Sequence, residues 1–183
     1  ETSGLIVPMT EKLLRRSVTE LANFSHLTST RTQLSFNISA AHITDYTLPE
    51  MLLKFVDENQ IAPERITLEI TESGLMTELV TSLDILARFR IKGFNLSIDD
   101  FGTGYSSLNV LHKMPFNELK IDQNFINCML EDNDSLSIVE TCDMLAKKLN
   151  LATVAEGIED SNTLIKLKEM GIKYGQGYFI GKP

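Results

Sequence analysis

The chain is poor in the residues that would build several common kinds of functional site. Only two cysteines, Cys128 and Cys142, occur in 183 residues. Neither lies in a C-x-x-C or Cys/His pattern, so the sequence offers no thiolate metal centre and points to a reducing compartment. Basic residues are also short: 17 Lys and Arg face 25 Asp and Glu, giving a net charge of −8. With no Lys/Arg stripe, the chain is not built to hold a nucleic-acid duplex by counterion release. A small anionic ligand would then need help from metals or backbone amides. No apolar run approaches the roughly 20 residues that span a bilayer, and no basic, apolar, then small-residue pattern opens the chain. The expectation is a soluble domain.

What is present reads as one domain with a real core, at 43% hydrophobic residues. Six short apolar segments are predicted as strands: "QLSFNIS" (33–39), "RITLEIT" (65–71), "FNLSID" (94–99), "ELKID" (118–122), "LATVAEG" (151–157) and "YGQGYFI" (174–180). Between them lie helical periods. Leu79, Leu83, Leu86 and Arg90 follow one, with Gly93 as its stop, and Ile138, Cys142, Leu145 and Leu149 follow another. Near the start, Thr10 is expected to cap a helix carrying Leu13, Leu14, Val18 and Leu21. That helix leaves no room for an earlier strand, so the first residue is read as falling inside a domain, and "FIGKP" ends as abruptly.

Strand and helix alternate, which predicts an α/β fold with a mostly parallel sheet. Each strand is apolar until its C-terminal half, where it delivers Asn37, Glu69, Asp99, Asp122, Glu156 or Gln176. Polar groups arriving from many strand ends favour a (β/α)8 barrel over a doubly wound sheet, whose ligands gather at one switch point. A closed barrel needs eight strands and about 250 residues. The expectation is therefore a TIM-like (β/α)8 barrel incomplete at its N-terminus, one domain over residues 1–183.

"IDDFGTGYSS" raises the first chemical question. Its Gly-Thr-Gly lacks the third glycine of a dinucleotide fingerprint and the Gly-Lys-Ser/Thr of a P-loop. A turn that uses glycine for positive φ explains it equally well. The paired Asp99 and Asp100 are sharper, because two carboxylates are costly to bring together unless a cation neutralises them. With Asn37 and Glu69 they form a hard-oxygen set without Cys or His, which favours Mg²⁺ or Mn²⁺ over zinc. Two such ions can activate water for phosphodiester hydrolysis; solvated acids at strand ends are the competing reading.

Lys120 shares a strand face with Asp122, where its ammonium can neutralise phosphate charge or pair internally with Asp122 or Glu156. Glu156 suits a general base or a buried structural acid. His26, His42 and His112 read as surface histidines, Cys142 as a core thiol, and the methionines as packing.

The ordered set "LSFNIS", "LEITES", "IDDFGTGYSSL", "LKID", "VAEGIE" and "QGY" resembles the EAL domain, the Glu-Ala-Leu class of cyclic di-GMP phosphodiesterase, over essentially the whole chain. The resemblance implies a modified barrel that linearises cyclic di-GMP to pGpG with two Mg²⁺ or Mn²⁺ ions. It makes Asn37 and Glu69 ligands of the first metal, Asp99 the ligand shared by both, and Asp100 a ligand of the second. It implies that Glu72 anchors the loop after "DDFG", that Lys120 contacts the attacking water with Asp122 nearby, and that Glu156 activates that water. Glu159 and Gln176 match positions that bind the nucleotide or support the site. It further implies a cytoplasmic location, with regulatory or membrane domains in the parent chain, and leaves a homodimer open. The namesake Glu-Ala-Leu strand and the Gln-Pro segment before it do not occur here, and Asn117, Gln123 and Gly181 stand where an acid, an arginine and a serine are common. The alternative is a non-catalytic cyclic di-GMP receptor or interaction module; an unrelated barrel enzyme acting on a phosphorylated metabolite would leave the ordered motifs unexplained.

Overall fold

Four helices of this protein end in the same way, and that ending aims the following strands. The computed structural model describes residues 6–27, 32–39, 41–75, 79–103 and 108–182. Its helices are α1 (Ile6–Leu27), α2 (Leu48–Glu58), α3 (Glu72–Leu75), α4 (Leu79–Ile91), α5 (Leu108–Lys113), α6 (Gln123–Cys128), α7 (Asn133–Lys148) and α8 (Ser161–Glu169). Its strands are β1 (Leu34–Asn37), β2 (Ile66–Thr71), β3 (Asn95–Phe101), β4 (Glu118–Ile121), β5 (Ala152–Ala155) and β6 (Tyr174–Gly175).

After α2, α4, α7 and α8 a residue with positive φ turns the chain: Gln60, Gly93, Asn150 and Gly171 respectively. The next residue, always apolar, donates its N–H back to a carbonyl in the helix's last turn: Ile61 to Val56, Phe94 to Phe89, Leu151 to Ala146 and Ile172 to Leu167, at 2.9 to 3.1 Å. The residue with positive φ donates in parallel to Asp57, Arg90, Lys147 or Lys168. This is the paired-bond Schellman ending, which satisfies carbonyls that the helix leaves open. At α4 it also brings Phe94 edge-on to Phe89, with ring centroids 5.7 Å apart. Within a few residues each chain enters β2, β3, β5 or β6. Helix starts are specified too: Asp122, Asp132 and Asp160 accept N–H groups of α6, α7 and α8 as N-caps.

The chain folds as two compact units. In the first (Glu1–Ile70 and Gly74–Leu96), β1 pairs parallel with β2, setting Asn37 opposite Glu69. Its core joins Leu14, Val18, Leu52, Phe55, Ile66, Leu68, Leu86 and Phe89, all buried. In the second (Thr71–Ser73 and Ser97–Pro183), β3, β4, β5 and β6 lie side by side in chain order, each parallel to the next. Ile98, Leu119, Ile121, Ile126, Val139, Ala155 and Leu167 fill its core. The α/β class and parallel pairing match expectation, and six strands occur among the described residues. No helix there is long and apolar enough to cross a membrane.

Several local expectations are corrected. Thr10 does not cap α1, which starts at Ile6 with Pro8 in its first turn, where proline is tolerated; Thr10 is buried within the helix, on the stripe of Leu14, Val18 and Leu21. Leu83 is exposed, because α4 buries the bulkier stripe of Ile85, Leu86 and Phe89. In α7 the buried face is Val139, Cys142, Asp143 and Ala146; Asp143 is drawn inward by Thr153 Oγ1 at 3.0 Å. His42 is 1% exposed rather than a surface residue, with Ser39 N–H donating to its Nδ1 at 3.2 Å. The last strand stops at Gly175 because the chain then wraps Ile158: a Cβ on Gly177 would stand 2.2 Å from Ile158 backbone atoms.

The helix endings predict opposite effects for two substitutions. Gln60→Gly relieves a left-handed side-chain conformation and raises stability by up to about 1 kcal/mol, whereas Gly93→Ala lowers it by about 1–2 kcal/mol. Urea unfolding of the variants checks both signs.

Candidate functional site

The two adjacent acids of "IDDFG" reach the same region because β3 is bulged. Ser97 and Ile98 pair with Glu118 and Leu119, but Phe101 pairs with Ile121, so Asp99 and Asp100 together stand opposite Lys120. Asp100 takes a left-handed conformation, φ +54°, which Asp tolerates better than most residues. The extra residue cancels the alternation that would send neighbouring side chains to opposite faces. Sequence alone placed both acids at a strand end; β3 continues through them to Phe101.

Lys120, on β4, is 3% exposed and holds its ammonium between two carboxylates. Its Nζ lies 3.0 Å from Asp99 Oδ1 and 2.6 Å from Glu156 Oε1. The internal pair expected with Glu156 is present, and Lys120 also pairs with Asp99. Glu156 follows β5 directly, and Gln176, which follows β6, donates its amide to Glu156 Oε1 at 2.5 Å. Asp122 caps α6 through Asn124 N–H at 2.8 Å, and its charge acts on Asp100. Consecutive strand ends of the second unit thus bring two carboxylates onto one ammonium, with Asp100 and Asp122 acting on each other nearby.

Such crowding raises the affinity of Asp100 for a proton. Burial lifts its pKa above the ordinary value, and the charges of Asp99 and Asp122 lift it further, against Lys120. Asp99, Asp100 and Glu156 each offer a carboxylate oxygen within 4.8 Å of the others, a spacing that suits a divalent cation. All-oxygen donors with unneutralised negative charge suit a hard cation.

Glu72, buried at the start of α3, accepts the N–H of Gly102 at 3.2 Å, so it reaches the turn after the bulge. Residues 104–107 of that loop lie outside the described residues. Asn37 and Glu69 face each other at the ends of β1 and β2 in the first unit. Glu159 and Gln176 line one cavity of about 450 Å³ with Gln123, Gly157, Gly177, Tyr178 and Gly181. Gln123 and Tyr178 were not predicted there. Gln123 follows Asp122 directly, and Tyr178 lies in "QGY", so proximity to recognised motifs was their only signal. Cys142 is the expected core thiol, pushed up to about 11 by burial and then by the charge of Glu72.

Comparison with known proteins decides the family. The EAL domain model matches residues 1–183. The chain belongs to the EAL domain family. Cyclic di-GMP phosphodiesterase RocR of Pseudomonas aeruginosa is 35% identical over 150 residues, 82% of this EAL chain and 38% of RocR. The probable cyclic di-GMP phosphodiesterase PdeG of Escherichia coli is 34% identical over 186 residues, covering all of this chain and 36% of PdeG. The EAL chain thus spans only about a fifth to two fifths of the curated relatives it matches. The solved PaMucR phosphodiesterase in complex with c-di-GMP is 35% identical and superposes with a TM-score of 0.94, over 100% of this chain and 74% of that one.

The crowded acids make stability depend on pH. Because the Asp100 pKa is raised above 3.8 on folding, its contribution to stability is complete below the unfolded value and is lost as pH rises through the folded one. In metal-free protein, Asp100→Asn therefore melts above the parent near neutral pH, and the gap narrows as pH falls toward the ordinary carboxylate range. Calorimetric melting across pH tests this; a gap that widens on acidification contradicts it.

Proposed function

We propose that the protein is a metal-dependent phosphodiesterase that hydrolyses cyclic di-GMP to linear pGpG. The observation that carries the proposal is the group of Asp99, Asp100 and Glu156 around the buried Lys120 ammonium. The family and the phosphodiesterase names of RocR and PdeG support the choice of substrate.

On this reading Asn37 and Glu69 hold one Mg²⁺ or Mn²⁺ ion, and Asp99 and Asp100 hold a second. When bound, the two ions activate water and neutralise the reacting phosphodiester. Lys120 orients the attacking water and adds positive charge near the phosphate. Glu156 takes the proton of that water, its carboxylate fixed by the Gln176 amide on one side and Lys120 on the other. The water oxygen joins phosphorus as one P–O bond to ribose breaks, and the leaving oxygen takes a proton. Asp122 keeps α6 and the acid group in place through its cap. Glu72 holds the Gly102 turn, and Glu159 with Gln176 presents a polar wall of the cavity to the nucleotide. A cytoplasmic setting with fused regulatory domains accords with this role.

In the full-length protein we expect hydrolysis of cyclic di-GMP that requires Mg²⁺ or Mn²⁺ and stops with EDTA, read by chromatography of pGpG. Glu69→Ala lowers turnover by at least about 100-fold, since loss of a ligand exceeds the usual effect of a supporting partner. Unchanged turnover in that variant overturns the metal assignment. Tight binding of cyclic di-GMP by the native protein without any hydrolysis favours the receptor reading instead.

A further inference from the structure

The bulge that carries Asp100 must be held in a conformation its own backbone disfavours, and Glu72 supplies a contact to the turn beyond it. Gly102 is held from a second direction. Its φ is +103°, and a Cβ built on it would lie 3.1 Å from Phe125 Cε2 and 3.7 Å from Ile138 Cγ2. The glycine therefore lies close against the Phe125 ring on the side where any other residue would carry its side chain. Its N–H meanwhile points to Glu72. Between Asp100 and Gly102 there is little slack: Thr103 N–H and Oγ1 both return to the Asp100 carbonyl, at 3.4 and 2.9 Å.

Phe125 is itself fixed by the acid group. Asp122 caps α6 through Asn124 N–H, and Phe125 N–H bonds to the Asp122 carbonyl at 3.2 Å. The first turn of α6 therefore bears on the segment after the bulge. Phe125 meets Gly102 through its ring, and the Asp122 cap fixes the turn that carries Phe125. We propose that Phe125 is a positioning residue whose ring seats Gly102 and so keeps Asp100 turned toward Asp99 and Glu156. Its consequence for catalysis rests on the phosphodiesterase reading above; the seat itself does not. Truncating the ring removes that seat, and the turn can then relax away from its left-handed geometry.

The test compares Phe125→Ala with Val139→Ala, a truncation at a fully buried position of α7 in the same unit. Hydrogen–deuterium exchange of metal-free full chain is followed across Asp99–Thr103. We expect faster exchange in Phe125→Ala and parent-like exchange in Val139→Ala. Mn²⁺ titration followed by electron paramagnetic resonance should show affinity reduced by about 10-fold or more only in the Phe125 variant. In the full-length protein, kcat should fall while KM for cyclic di-GMP changes little. Phe125→Leu keeps an apolar seat and should recover most of the loss; it carries the comparison if Phe125→Ala does not fold. Exchange across the turn that stays at the parent rate, or accelerates equally in Val139→Ala, overturns the seat. A parent protein that binds no Mn²⁺ overturns the metal reading, while the exchange data still decide the role of Phe125.

Discussion

One buried ammonium makes the rest of this arrangement possible. Lys120 is enclosed by groups from neighbouring strands, and its charge lets Asp99 and Glu156 approach without mutual repulsion dominating. Removing a partner from a buried charged group leaves the other uncompensated, which is why such groups tolerate little change. Lys120 nevertheless neutralises only part of the local charge. Asp100 and Asp122 remain beside it, and the raised pKa of Asp100 expresses what is left over. A protein with no function for that excess would gain from a neutral side chain at one of these positions. The surplus of oxygen donors is the physical basis for reading the group as a place for divalent cations.

The backbone that assembles these groups depends on a repeated joint. Gln60, Gly93, Asn150 and Gly171 each reverse the chain after a helix, and the apolar residue that follows leads toward a strand whose far end carries a polar group. With all pairings parallel, the C-terminal ends of neighbouring strands lie together in each unit. Asn37 thereby faces Glu69, while Lys120 meets Asp99 and Glu156. The core needs only apolar bulk on either side of the strands. The final residues before each loop are left available for chemistry.

Much of this was legible in the residues. The six strand segments, the stop at Gly93, the core position of Cys142 and the polar ends of the strands follow from periodicity and turn chemistry. Less legible were features in which tertiary contacts overrule local preference. The positive φ of Gln60 has no local signal and that of Asn150 only asparagine's tolerance of it, since the motif is defined by carbonyls several residues back. His42 sits in a polar stretch, yet its ring is buried against Ser39. The helical faces of α4 and α7 were rotated from expectation because burial depends on which side chains find partners across the core.

The kinds of group available, their order along the chain and their placement near strand ends follow from the residues alone, because strand periodicity and helix caps are local properties. The sequence also carried the family likeness, through motifs that are each short. Only the tertiary structure decided which acids meet. Whether Asp99 and Asp100 share a face depends on a bulge defined against β4, whether Lys120 pairs with Asp99 or Asp122 depends on that register, and whether Gly102 has a seat depends on Phe125 in a helix that begins more than twenty residues later. Such facts belong to pairs of distant segments, and no single stretch of chain encodes them.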